Sequence, residues 1–293
     1  MIEVNQLKKV MNNKLILENI NFKLKKGSVV GLLGRNGVGK TTLLRTIVGI
    51  LLPEEGEVFI DGVNSLTNPQ IKENLIFVSD TQDFISQYKT SEIIDFYLTI
   101  YPEFDSTYCK ALMNQYHLPQ AHIKTYSKGM KALLAIILAF CSNAMCIILD
   151  EPINGIDSII KRQVLQFIIK EVSEKETTVI ISTHQLDELE KIADTILLLE
   201  NKTINKAIDL EEIKQSFTKI QVAFEEAMPS QLKDLNNVKL LSQIGKLSTV
   251  LIEGNVEKTL NQFQKEKPIL LEEIPMSLED IFIASFGGNT YVS

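Results

Sequence analysis

The chain has no surplus of basic charge. Its 293 residues carry 37 acidic and 30 basic side chains, a formal net charge of −7. That balance argues against attraction to nucleic acid through bulk charge. Cysteine is scarce: Cys109, Cys141 and Cys146 are the three present, at no spacing that holds a metal. They are expected to be reduced, buried thiols of a cytosolic protein. The N-terminal stretch MIEVNQLKKV lacks a long apolar segment, so no signal peptide is expected. Internal repeats and low-complexity runs are missing, and so is the sustained heptad pattern of a coiled coil.

A long uninterrupted apolar run is missing too, though one span comes near. Ala132 to Leu149 reads ALLAIILAFCSNAMCIIL, with Ser142 and Asn143 its polar residues. A membrane helix needs about 20 apolar residues. Ser142-Asn143 splits this span into an Ala/Leu-rich helix and a short strand, CIIL. Two buried elements of an α/β fold therefore account for it.

What is present suits a globular protein with a substantial core: hydrophobic residues make up 45% and charged residues 23%. Residues 2–33 read as strands around a hairpin, and TTLLRTIVGIL after Gly34 has helical spacing. EVFIDG and LIFVS (75–79) read as strands. Residues 84–140 are mostly helical and interrupt the strand series. CIILD (146–150), TTVIIST (177–183) and TILLLEN (195–201) return to apolar strands, with helices expected at about 158–173 and 185–193. Such alternation predicts a buried parallel sheet. From about 205 the texture changes. IQVAFEEA, KLLSQIG and STVLIEG read as short strands, VEKTLNQFQKE as a polar helix and MSLEDIFIASF as a terminal helix. The expected fold class is α/β with an inserted helical subdomain at about 84–140, followed by a small α+β domain at 210–293.

GLLGRNGVGKTT matches the phosphate-loop pattern G-x-x-x-x-G-K-[ST] between an apolar strand and a helix, the context that gives the pattern meaning. Gly37 and Gly39 let backbone N–H groups approach phosphate oxygens. The helix starting near Lys40 adds its dipole and free donors. Lys40 suits the β- and γ-phosphates, and Thr41 suits Mg²⁺.

CIILDEPINGID sets Asp150 at the end of a buried strand, where α/β sheets bind ligands. Asp150 can hold Mg²⁺ through water, and Glu151 can act as general base. Asp157 is expected to cap the next helix. His184 follows TTVIIST at another strand end, within reach of a γ-phosphate if the strands align.

The ordered set GRNGVGKTT, YSKGMK, CIILDEP, NGID and TH resembles the ATP-binding-cassette (ABC) ATPases over residues 2–205. More narrowly it resembles the separate ATPase subunits of bacterial exporters, including exporters of amphipathic peptides of the phenol-soluble modulin kind. PMSLEDIFIASF is similar to the terminal helix of ATPases that serve drug, ion or peptide exporters. The resemblance implies a P-loop fold of the ABC type with an antiparallel β subdomain, in which residues 1–209 form the nucleotide-binding domain and 210–293 an accessory domain. It also implies ATP and Mg²⁺ as cofactors. Gly34, Arg35, Asn36, Gly37, Val38, Gly39, Lys40, Thr41 and Thr42 match the phosphate loop. Asp150 matches the Mg²⁺-linked acid, Glu151 the catalytic base and His184 the switch histidine. Asp157 matches the acid of the loop facing a partner subunit. Ser127 and Gly129 match the signature that contacts ATP held by the opposite subunit. A homodimer, or a heterodimer with another ABC ATPase, follows from this. So does a separate membrane permease that holds the chain at the inner face of the cell membrane, with no nucleic acid involved.

Three motifs depart from the family pattern: the signature, the adenine-stacking residue and the glutamine loop. Lys128 and Met130 replace a signature glycine and a common glutamine. Lys128 either adds charge near the phosphate or points outward. The outward direction is favoured, because Ser127, Gly129 and the helix N-terminus suffice for the contact. Near position 11 the family stacks an aromatic on adenine; this chain offers Val10 and Met11, of which Met11 packs on a purine more weakly and with less base preference. The glutamine that attends Mg²⁺ is Gln82 by chemistry, or Asp80 by counting from LIFVS.

Import, a soluble ribosome-acting or repair ATPase, and a non-hydrolytic module are the competing functions. A single cassette, the acidic charge and the missing coiled coil weigh against the soluble classes. Intact Lys40, Asp150, Glu151 and His184 weigh against loss of hydrolysis.

Overall fold

The computed structural model describes residues 1–81 and 83–286, so the Gln82 expectation lies outside the described residues. The chain forms two units, one comprising Met1–His184 and Ile192–Ala207, the other Gln185–Lys191 and the chain from Ile208 onward.

The first unit begins with β1 (Ile2–Met11), β2 (Lys14–Leu24), β3 (Val29–Leu33), α1 (Lys40–Ile47), β4 (Glu55–Ile60), β5 (Val63–Asn64) and β6 (Leu75–Val78). Helices α2 (Asp83–Ser86), α3 (Thr90–Ile100), α4 (Ser106–Gln115) and α5 (Lys128–Cys141) follow, then β7 (Cys146–Asp150), α6 (Ser158–Lys175) and β8 (Thr178–Ser182). Past α7 (Leu186–Leu189), which lies in the second unit, come β9 (Thr195–Glu200) and β10 (Thr203–Asp209).

Two sheets share one core. The first is antiparallel, in the order β2-β1-β4-β5, and its β1 alternates buried and less buried residues as a half-covered strand should. The second runs β10-β9-β3-β8-β7-β6, and β3 pairs in parallel with β8 and β9, as β7 does with β8 and β6. Strands β3, β7 and β8 are buried along their whole length, which explains their continuous apolar sequences. Leu7, Leu17, Ile20, Leu43, Val58 and Ile148 meet in the core.

The parallel register positions the site. Leu32 pairs with Ser182, and Ser182 pairs with Asp150, so three strands end at one level. Strand β8 lies between β3 and β7. The acidic strand end is therefore one strand removed from the phosphate loop's strand, not directly beside it.

The span 132–149 divides as its composition predicts. Helix α5 ends at Cys141, the Ser142 hydroxyl donates back to Leu138 O at 2.9 Å, and Asn143 adopts a left-handed φ of 52°. Asn and Ser stop helices in this way because their side chains compete for backbone partners. Nearly all of α5 is buried, so its apolar composition reflects a core helix. Among the described residues, no helix is long and apolar enough to cross a membrane. Cys109, Cys141 and Cys146 are free and buried.

The second unit contains α8 (Leu210–Gln215), β11 (Phe217–Ala223), α9 (Ser230–Lys233), β12 (Val238–Ile244), β13 (Leu247–Glu253), α10 (Val256–Lys265), β14 (Leu270–Glu273) and α11 (Leu278–Phe286). Its antiparallel sheet runs β12-β13-β11-β14. Ile220, Val222, Val250, Ile252 and Phe263 form its core, and Ile281 of α11 packs with Phe217 and Leu251. Two features differ from the sequence expectation. The helix expected at 185–193 shrinks to the four-residue α7, and Glu190 just beyond it is tied to Lys214 at 2.7 Å and to the Leu278 N–H at 3.0 Å. Strand β14 was not anticipated, since its polar LLEE sequence lacks a strand pattern.

Candidate nucleotide site

The phosphate loop follows β3 directly. The Val38 N–H donates to Arg35 O at 3.2 Å to close the turn, and Leu43 N–H donates to Gly39 O at 2.8 Å as α1 starts. Gly37 and Gly39 have φ of 78° and 118°, values that side chains resist, so glycine is a backbone requirement here. Lys40 is 7% exposed, and its ammonium donates to Gly34 O at 2.7 Å and to Arg35 O at 3.4 Å. Burial pushes the Lys40 pKa below its ordinary value, and the nearby carboxylates of Glu151 and Asp150 offset part of that.

The acidic strand end is anchored to the strand between. The Ser182 hydroxyl donates to Asp150 Oδ1 at 2.6 Å and accepts from Glu151 N–H at 3.0 Å. Asp150 is 2% exposed. Glu151 turns out of the strand with a φ of 48°, a conformation costly for a residue with a side chain and held here by its surroundings. Its carboxylate lies between Lys40 and His184: Lys40 Nζ is 3.7 Å from Oε1, and His184 Nδ1 is 3.0 Å from Oε2.

These groups surround one cavity of about 330 Å³, lined by Arg35, Asn36, Gly37, Gly39, Lys40, Thr41, Thr42, Glu151 and His184, together with Ile16 and Asn154. Phosphate loop, strand-end acid and histidine thus converge from three separate loops. Asp150 sits behind this surface, held by Ser182, which suits contact with a metal through water. Among the described residues, no group of three or more His, Cys, Asp or Glu could cage a metal ion. One hydroxyl on Thr41 and one acid behind it fit Mg²⁺, which favours retained waters and substrate phosphates over an all-protein cage.

The remaining expected residues lie outside this cavity. Met11 is beside it: the Thr42 hydroxyl donates to Met11 Sδ at 3.9 Å. Ser127 caps α5, its Oγ accepting from Met130 N–H at 3.2 Å. Asp157 caps α6, accepting from Ile159 N–H at 3.1 Å and Ile160 N–H at 3.0 Å. Gly129 is buried against Ile160. Asp80 is exposed and lines a second cavity of about 310 Å³ with Asp83, Lys128, Lys131 and Asn154. Lys128 is solvent-exposed, in line with the expected outward direction. Its ammonium lies near Gly155, where a β-carbon would stand 2.9 Å from Nζ.

Three participants escaped sequence reading. Ile16 lies on β2 and lines the cavity beside Gly39, where a hairpin strand offers no motif to detect. Asn154 lies in the turn after β7 and Ser182 at the end of the apolar strand β8, and neither position carries a motif. The polar ST that closes TTVIIST, after an otherwise apolar run, is the signal that could have singled out Ser182.

The ABC transporter family pattern matches residues 17–154. The ABC transporter ATP-binding protein YtrB of Bacillus subtilis (strain 168) is 36% identical over 289 residues, which span 98% of this chain and 99% of YtrB. The bacitracin transport ATP-binding protein BcrA of Bacillus licheniformis is 25% identical over 310 residues, 99% of this chain and 98% of BcrA. In fold, the chain is similar to a dimeric ATP-binding cassette solved in a post-hydrolysis state with ADP and Pi, with a TM-score of 0.64 and 23% identity over 72% of this chain and 99% of that one. Full-length identity to YtrB, with a site assembled from three loops of a cassette fold, establishes that the chain belongs to the ABC transporter ATP-binding proteins and is an ATPase that uses ATP and Mg²⁺.

Proposed function

We propose that this ATPase powers export of a peptide, drug or ion through a separate membrane permease, which holds it at the inner face of the cell membrane. The observation that carries the mechanism is the convergence of Lys40, Glu151 and His184 on one cavity, with Glu151 between the other two. Lys40 and the phosphate-loop N–H groups hold the β- and γ-phosphates. Thr41 and Asp150 hold Mg²⁺, which when bound neutralises charge on the β- and γ-oxygens. Glu151 draws the proton from the attacking water. His184 orients the Glu151 carboxylate and reaches toward the γ-phosphate. Met11 and Ile16 offer an apolar surface for the base.

Ser127, Gly129 and Asp157 lie outside this chain's own cavity. In the proposed reading they complete the site of a second subunit, identical or related, in a head-to-tail dimer. ATP bound between two subunits contacts both only when they close, and that difference in contact energy moves the permease. The helical segment at about 84–140 is the proposed docking surface, and residues 210–293 an accessory domain. Export is supported by the bacitracin transport protein among the relatives and by the likeness of residues 275–286 to exporter ATPases.

The test is Glu151→Gln in the full chain. Hydrolysis should slow, and ATP should trap a dimer on size-exclusion chromatography. A persistent monomer with full ATPase activity would sink the shared-site mechanism. Purification with a membrane protein supports the transporter role; repeated recovery with ribosomes or DNA counts against it.

A further inference from the structure

Lys128 stands where the signature of the related ATPases carries glycine, and the nucleotide cavity makes no direct use of it. Its ammonium occupies the space over Gly155, where a β-carbon would come within 2.9 Å of Nζ. The next residue, Gly129, is equally close to the other side of the same loop: a β-carbon there would lie 2.9 Å from Ile160 Cγ2. Two successive residues at the start of α5 therefore bear on both flanks of Asp157, the cap of α6.

The turn between these contacts and the nucleotide cavity is short. It begins at Glu151, whose carbonyl accepts from Asn154 N–H at 3.2 Å. Asn154 lines the nucleotide cavity and also the cavity of Lys128, Asp80 and Asp83. Gly155 is thus one residue from the wall of the nucleotide cavity, and that residue is joined to Glu151 by one hydrogen bond. Glu151 is the residue most sensitive to it, because its left-handed φ of 48° persists only while its surroundings impose it.

We infer that Lys128 is a positioning residue for hydrolysis: by bracing Gly155 it fixes the turn from Glu151 to Asn154 and so the direction of the Glu151 carboxylate. Glycine at position 128 has no side chain to make this contact. The inference rests on the reading of Glu151 as the base.

The experiment is steady-state ATP hydrolysis by the full chain with Lys128→Gly, Lys128→Arg and Glu151→Gln. Misplacing a catalytic group by a fraction of an ångström costs rate rather than ground-state binding, so Lys128→Gly should lower kcat about five- to tenfold and leave the KM for ATP unchanged. Lys128→Arg keeps the reach and should restore most of the rate. An unchanged kcat in Lys128→Gly overturns the inference, and so does a defect confined to KM, or an arginine variant as slow as the glycine one. Glu151→Gln separates the two levels. Full turnover in that variant removes the base assignment and this inference together. An inactive Glu151→Gln beside a wild-type Lys128→Gly removes the inference alone.

Discussion

Ser182 and Asp150 are joined across neighbouring parallel strands by a 2.6 Å hydrogen bond from hydroxyl to carboxylate. The same hydroxyl accepts the Glu151 N–H at 3.0 Å, beside the Ser182 carbonyl at 3.1 Å, so one buried residue holds both acids. Ser182→Ala leaves the buried Asp150 carboxylate short of a partner, while the Glu151 N–H keeps its 3.1 Å bond to the Ser182 carbonyl. We expect a loss of about 1–3 kcal/mol in stability, and a kcat reduced several-fold as Asp150 loses its partner and Glu151 one of its two acceptors. Urea unfolding and steady-state ATPase assays measure the two effects, and an alanine variant matching wild type in both would disprove the role.

Gly129 is glycine for reasons of space. Its missing β-carbon would stand 2.9 Å from Ile160 Cγ2 and 3.2 Å from Ile160 Cβ. Gly129→Ala gains helix propensity but forces α5 away from α6, and overpacking of this kind costs about 1–3 kcal/mol. Removing the γ-carbons of Ile160 makes room. The penalty of Gly129→Ala should therefore shrink in an Ile160→Ala background, with a coupling of about 0.5–3 kcal/mol in a double-mutant cycle. Strict additivity would show that the two residues do not meet.

Asp280 ties α11 to β11 within the second unit. Its Oδ2 accepts from Lys219 Nζ at 2.8 Å, Ser277 N–H at 2.8 Å and Ser277 Oγ at 2.7 Å. Burial alone would raise its pKa; the bonds from Lys219 and Ser277 outweigh burial and hold it below the ordinary 3.8. The folded state thus prefers the ionised form. The stabilisation is complete above the ordinary value and is lost as pH falls through the lower folded one. Asp280→Asn should cost about 1–2 kcal/mol near neutral pH. The gap between variant and wild type should close as the pH of urea unfolding is lowered through the acid range. A gap that stays constant with pH would show that charge is not what holds the contact.

Much of the site could be read without coordinates because local chemistry dictates it. A phosphate loop needs glycines of positive φ, one lysine and one hydroxyl at set spacing, and Gly37, Gly39, Lys40 and Thr41 provide them within five positions. Ser127 and Asp157 behave as helix caps for an equally local reason, since each accepts from an N–H two or three residues ahead. The split of residues 132–149 followed from Ser142 and Asn143. What stayed hidden depends on partners distant in sequence. Ile16 comes next to Gly39 by hairpin packing, and its β-branched side chain looks like any strand residue. Lys128 was expected to face water, and its position over Gly155 depends on how α5 meets the turn before α6.

By itself the sequence determined the main strands and helices of the parallel sheet and the local chemistry of the phosphate loop and the helix caps, because backbone conformation and side-chain chemistry are set by near neighbours. Only the tertiary structure decided how these groups meet. Strand β8 enters between β3 and β7, and the register aligns Leu32, Ser182 and Asp150. That alignment puts Glu151 between Lys40 and His184 and gives Ser182 its function. Strand order and register arise from packing apolar faces far apart in the chain, which no short stretch of residues specifies.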